Sequence, residues 1–196
     1  MAEEQLKATN ERQLGLQKIY VKDLSFESPK APNVFTSSVS PQTQLNIRSS
    51  AQEIAPNVQE VTLTLTVEAK DNDTTLFLIE IAQAGIFSME GYTADERSVL
   101  IGSFCPNTLY PFAREAIADI VARGGFPQLL LQPINFDALY AQAISERAAG
   151  TGGAAQPAAP ADGLTLPCTA KVTLDMNLPD LINKIPSRTS NYTVEY

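Results

Sequence analysis

The chain reads as an α+β protein in which strands come first and helices follow, and three observations carry that expectation. From Val61 to Ala69, Val61, Leu63, Leu65, Val67 and Ala69 alternate strictly with Thr62, Thr64, Thr66 and Glu68, the period of a strand with one buried and one wet face. Farther on, Leu109, Phe112, Ala113, Ala116, Ile117, Ile120 and Val121 recur at helical spacing over more than three turns, which predicts an amphipathic helix. With 196 residues, 44% of them hydrophobic, the chain is long enough for one real core and not for two large ones.

The strand region begins after a polar tail, residues 1–13. Leu14 to Phe26 has the β-branched and aromatic content of a first strand. A two-residue period places Tyr20, Leu24 and Phe26 on one side of it, and Ile19, Val21, Asp23 and Glu27 on the other. Prolines 29, 32 and 41 make the next stretch a long crossover loop with Val34 and Phe35 at its middle. Thr43–Ser50 is a second, short strand. After Val61–Ala69, Asp71-Asn72-Asp73 supplies turn chemistry and Thr74–Ser88 returns as the antiparallel partner. In that partner Phe77, Ile79 and Ile81 match the core face, yet Leu76, Leu78, Glu80 and Ile86 fall on the face that should be wet. Something covers that face or binds to it.

The helical region opens with Thr93 and Glu96 at the spacing of a capping box. Pro106 and Pro111 predict a kink or two helical pieces, because proline lacks the amide donor and clashes with the preceding turn. Arg123-Gly124-Gly125 supplies a basic last turn and a glycine stop. An extended, proline-punctuated stretch follows, and then Asn135 caps a second helix carrying Phe136, Leu139, Tyr140, Ala143 and Ile144. Residues 149–163 are an Ala/Gly/Pro linker. Residues 164–196 regain apolar character but are too few for an independent core, so they dock on the main body, bind elsewhere or stay unfolded.

Composition narrows the chemistry. There is no histidine, which removes serine triads and histidine-ligated metals and leaves acid–base catalysis near neutrality without its usual side chain. Neither a phosphate-binding glycine loop nor a nucleophile elbow occurs. No catalytic residue, metal site or cofactor is expected. The net charge of −8 and the lack of a basic cluster argue against nucleic acid and favour basic partners. Cys105 and Cys168 have no metal-ligand spacing, and a reducing compartment suits them. The polar amino terminus and the absence of a membrane-length apolar run predict a soluble, cytoplasmic protein.

What remains is apolar surface. The run Leu100–Tyr140 joins a helix to aromatics that could line a groove for extended, greasy polypeptide. With the crossover loop included, the candidate groove residues are Phe35, Phe104, Tyr110, Phe126, Phe136 and Tyr140, any of which could equally be ordinary core. Phe112 and Ile117 lie mid-stripe and are expected to pack, whether within the chain or between copies. Such a chain binds rather than catalyses.

Three segments, KIYVKDLSFESPKAPNVF, LIEIAQAGIFSMEG and the start of the Leu100–Tyr140 run, resemble the SecB family of protein-export chaperones, and the resemblance covers residues 14–148. It implies a four-stranded antiparallel sheet with two helices packed on one side, assembled as a dimer of dimers. It implies a cytosolic holdase, working without ATP or a bound cofactor, that keeps secretory precursors unfolded and delivers them to the SecA motor. The family's motor-docking positions match Asp23, Glu27, Leu78 and Glu80, the carboxylates and the leucine of the anomalous wet face. Relatives finish in a short polar tail, whereas here a linker leads into an apolar extension. That extension replaces a motor contact, occupies client grooves as a competitor, or is idle. A second reading uses the same fold as a dedicated adaptor or antitoxin-type chaperone for one client.

Overall fold

The computed structural model of the protein describes residues 12–36, 41–149 and 170–174. The tail through residue 11, the linker from residue 150, Cys168 and the extension apart from 170–174 lie outside the described residues. The elements in chain order are β1 (Gln13–Glu27), β2 (Gln42–Ala55), β3 (Val58–Asp71), β4 (Thr74–Glu90), α1 (Ala94–Val99), α2 (Cys105–Arg123), α3 (Phe136–Ala149) and β5 (Ala170–Leu174). The four expected strands form one antiparallel sheet in the order β1-β4-β3-β2, and β5 extends it beyond β2.

Turn chemistry sets the two hairpins. Asn72 turns β3 into β4 with φ 52°, and Asn57, behind Pro56, turns β2 into β3 with φ 60°, a left-handed backbone that asparagine tolerates better than most residues. The second hairpin lengthens β2 five residues beyond Ser50. The chain then crosses from β1 to β2 through a loop whose described part holds a 3-10 turn, Asn33–Phe35, in which Val34 is buried and Phe35 exposed. Thus β1 lies beside β4 and the crossover spans the sheet.

The core-facing row of β3 and β4, including Val61, Leu63, Leu65, Val67, Ile79, Ile81 and Phe87, is fully buried against the helical layer. The face assignment in β1 differs from a plain alternation. Register shifts fall between Leu16 and Lys18 and between Val21 and Asp23, so each extra residue flips the side chains that follow it. Ile19 and Val21, paired with Gly85 and Gln83, therefore share the core side with Leu24 and Phe26, paired with Ile81 and Ile79. Tyr20, opposite Ala84, joins Asp23 and Glu27 on the outer side. Leu76 is also corrected: it sits at the β3–β4 register shift and is buried in the core.

Helix α1 begins with the expected capping box, Glu96 N–H donating to Thr93 Oγ1 and Thr93 N–H to Glu96 Oε2. Its continuation, Leu100–Phe104, is one wider π turn in which Cys105 N–H bonds Leu100 O. Pro106 explains it, since an α-helical carbonyl four residues back would clash with the proline ring. Pro111 does not interrupt α2: it lies on the exposed side of the helix, where water can take the carbonyl it leaves unpaired. Leu109, Ala113, Ile117 and Val121 form the buried stripe, while Phe112 is displaced from it and exposed; among the described residues it is not part of the core. Burial alone pushes the Cys105 thiol up to about 12, as befits an inert packed cysteine. Gly125, with φ 86°, ends α2, and Asn135 Oδ1 accepts from Ala138 N–H at 3.0 Å to start α3.

Two contacts lock α3. Ser103 Oγ donates to Asp137, and the Tyr140 ring lies so close to Gly102 that any Cβ there would overlap it. Across the outer face, Tyr20 O–H and Lys22 Nζ both donate to Glu60, the latter at 2.7 Å, bracing β1 to β3 over the intervening β4. Lys22, then Tyr20, hold the Glu60 carboxyl below its usual range against the opposing effect of burial. The hydrogen bond to Glu60 is also the main cause that raises Tyr20 to about 12.

Gly102→Ala is expected to lower unfolding stability by about 1–3 kcal/mol through overpacking against Tyr140, read as a shift in denaturation midpoint. The Glu60 contribution is present above the unfolded carboxyl pKa and is lost as pH falls through the lower folded value. The Tyr20 contribution is complete below the unfolded phenol pKa of about 10 and is lost as pH rises toward about 12. Stability against pH for the wild type and Glu60→Gln checks both, because the variant should flatten both limbs.

Candidate functional site

The outer face of the sheet collects the four expected docking residues. Glu27 pairs with Leu78, Ser25 with Glu80 and Asp23 with Ala82, so all four belong to one end of one face. On the other side of Leu78, β3 contributes Glu68, and opposite Glu80 it contributes Thr66. A half-buried leucine thus stands between two glutamates.

The carboxylates differ in how they are held. Glu68 is tied to Lys70 at 2.9 Å and to Thr75 Oγ1 at 3.0 Å. Lys70 chiefly, with Thr75, keeps it below the ordinary carboxylate range although burial opposes them. Glu80 accepts from Thr66 Oγ1 at 2.9 Å. Exposed Asp23 and Glu27 form no ion pair among the described residues. Glu27 beside Leu78, with Asp23 farther along β1 opposite Ala82, suits a basic protein surface, with the charges setting approach and orientation and the leucine supplying buried area. Glu68 was not singled out from sequence. Its position on the wet face was readable, but its place beside Leu78 requires the β3–β4 register.

The six aromatic candidates separate into three groups. Phe35 and Phe126 come together, ring centroids 5.2 Å apart, and Phe126 packs in turn on Phe77 at 4.8 Å and Phe26 at 6.3 Å. Phe26 also stacks on Phe77 at 6.0 Å. Phe35 is 49% exposed, so this four-ring cluster has a buried floor and an open side. The end of α2 makes room for it: Phe26 lies against Gly124, where a Cβ would overlap the ring, and Phe35 lies 3.2 Å from the Cβ position of Gly125.

Tyr110 and Phe136 are placed otherwise. Each is only 4% exposed; their rings meet edge to face at 5.6 Å, and Tyr110 O–H donates to Gln132 O at 2.5 Å. They are core, because helical spacing turns Tyr110 toward the segment that leads into α3, and a buried phenol takes a carbonyl partner there. Phe104 is exposed on the π turn and Tyr140 half-buried against Gly102, with no ring contact to the Phe35 cluster. Leu24 and Leu130 are exposed apolar residues of the chain that the sequence reading did not select. Their exposure is a tertiary outcome with no local signal.

Among the described residues no group of three or more acidic, cysteine or histidine side chains is arranged to hold a metal, and no helix is long and apolar enough to cross a membrane.

The family model described as preprotein translocase subunit SecB matches residues 7–147. The protein-export protein SecB of Nitrosococcus oceani is 54% identical over 137 residues, covering 69% of this chain and 84% of that one. That of Methylococcus capsulatus is 49% identical over 134 residues, 68% of this chain and 86% of the relative. The relative from Hahella chejuensis is 44% identical over 159 residues, 81% and 96% respectively. Among solved structures, a SecB-like chaperone of Mycobacterium tuberculosis, in complex with a peptide from an antitoxin, superposes with a TM-score of 0.53 at 16% identity, covering 62% of this chain and 90% of that chain, a likeness of fold. An outer sheet face bearing Asp23, Glu27, Leu78 and Glu80, an aromatic cluster opening beside α2, and a family match across most of the chain converge: the chain belongs to the SecB family.

Proposed function

We propose that the protein is an ATP-independent cytoplasmic chaperone of protein export, which binds unfolded precursors and passes them to the SecA motor. The observation that carries this reading is the division of labour between surfaces of one domain. Asp23 and Glu27, without an ion pair among the described residues, lie beside Leu78 and Glu80 on the outer face, while the half-exposed Phe35 crowns an aromatic cluster beside the helical layer. Cargo and motor can then be held together without competing for one surface. Relatives named protein-export protein SecB, 44–54% identical to this chain, support the export role over the one-client adaptor.

An unfolded chain offers side chains at intervals, and each anchor buried in an apolar site contributes roughly 1.5–3 kcal/mol. One such site is weak. A homotetramer, as a dimer of dimers, multiplies the sites a single precursor engages and raises overall affinity through linked binding. Selectivity then falls on unfoldedness rather than sequence. Phe35 and Phe126 are the principal client-contact residues, and exposed Phe104 and half-buried Tyr140 are a second, separate apolar contact; Tyr110 and Phe136 belong to the core.

The purified protein should arrest refolding of several unrelated slow-folding precursors in the absence of nucleotide, with the oligomeric mass recorded on the same sample. Arrest of one client alone would support the adaptor instead. Phe35→Ala with Phe126→Ala should weaken binding of an unfolded precursor by about tenfold or more, for a loss of about 1.4 kcal/mol or greater. Leu78→Arg with Glu27→Lys should abolish measurable SecA association and leave client affinity within about twofold, since the altered residues lie on the outer face.

A further inference from the structure

The strand Ala170–Leu174 lies beyond the family match, which ends at residue 147. It pairs antiparallel with the outer edge of β2: Leu174 stands opposite Thr43, Thr173 opposite Gln44, Val172 opposite Leu45, Lys171 opposite Asn46 and Ala170 opposite Ile47. We propose that residues 170–174 are a built-in competitor, which reversibly covers the Thr43–Ile47 edge of β2 against the extended backbones of unfolded clients.

Three physical points support this, and it rests on the chaperone reading above. First, a sheet edge presents a row of unpaired amides and carbonyls, and any extended chain can satisfy them whatever its sequence. This is the recognition a binder of unfolded chains requires, and here the edge is shown accepting a strand. Second, the occupant is weak. It has five residues and, among the described residues, pairs on one side only, with β2, whereas isolated short pairings in water are marginal. Third, it is tethered. Residues 150–169 join it to α3, so its local concentration is on the order of millimolar. A weak strand at such concentration covers the edge when no client is present and yields to a client that also engages the aromatic cluster. The remainder of β2, from Arg48 to Ala55, pairs with β3 alone among the described residues, so an incoming chain can begin there and displace β5 by extension along the same edge. Coverage by one's own strand also keeps β2 from pairing with a second copy.

The test uses the full chain carrying Lys171→Pro and Val172→Pro. Successive amides of a strand point to opposite sides, so one of the two substitutions removes a donor facing β2 whichever the registry of bonds. Two quantities are measured on the wild type and the variant: amide exchange of residues 43–47, and affinity for a reduced, carboxymethylated and therefore permanently unfolded α-lactalbumin. The expected result is faster exchange at 43–47 in the variant without client, renewed protection when client is added, and about three- to tenfold tighter binding, the factor by which coverage of the edge lowers apparent affinity. Faster exchange with unchanged affinity would overturn the proposal and leave β5 as a fixed edge guard; growth of the variant into larger assemblies without tighter client binding would do the same. Unchanged exchange would overturn it by removing β5 from the edge. In each of these cases client binding by the wild type leaves the chaperone reading standing. Absence of binding by both chains would overturn both readings.

Discussion

Strand β4 must satisfy a neighbour on each edge while keeping one of its faces dry, and the rest of the architecture follows from how it does so. Its partners are β1 and β3, and its core-side residues Ile79, Ile81 and Phe87 are fully buried. A one-residue slip on either side would expose the whole apolar row. The register is therefore strongly fixed, and the outer face is fixed with it: Leu78 must stand between Glu27 and Glu68. The acidic outer face is the reverse side of the core. Its residues cannot be moved without moving the hydrophobic layer beneath.

Bulges reconcile this constraint with the sequence of β1. The extra residue between Val21 and Asp23 lets Ile19 and Val21 face the helical side and still delivers Asp23 and Glu27 to the outer side. Without it, the apolar and the acidic residues of β1 would compete for the same face. Tyr20 illustrates the consequence. It leaves the core side and becomes, with Lys22, a brace to Glu60 on β3, stiffening the face on which the acidic residues stand.

On the opposite layer, close approach at glycine plays the corresponding part. Gly124 and Gly125 end α2 and at the same time admit the rings of Phe26 and Phe35, while Gly102 admits Tyr140. Helix termination and the making of an aromatic surface are one event in the chain. The π turn before Pro106 belongs to the same economy of shape, widening the helix by one residue where the ring demands it and bringing Ser103 to Asp137 at the start of α3. The β2 edge paired with residues 170–174, the acidic outer face and the aromatic cluster are three separate surfaces of one domain.

Much of this was legible in the chain itself. The alternation in Val61–Ala69, the Asp71-Asn72-Asp73 turn, the Thr93 capping box, the Gly124-Gly125 stop and the Asn135 cap are local signals, set by dihedral preference and nearest-neighbour hydrogen bonds, and each falls where the sequence places it. The motifs shared with SecB proteins, too, are properties of sequence. What tertiary structure decided depends on contacts between distant residues. It moved Tyr20 to the outer face and Leu76 into the core through register shifts. It separated Phe35 and Phe126, joined with Phe26 and Phe77, from Tyr110 and Phe136, which the interior claims. It set Glu68 beside Leu78, left Phe112 in solvent and brought residues 170–174 to the edge of β2. Periodicity assigns a side chain to a face of its own element; which faces meet, and which edge a distant segment finds, is settled only when every element must bury its apolar side against another.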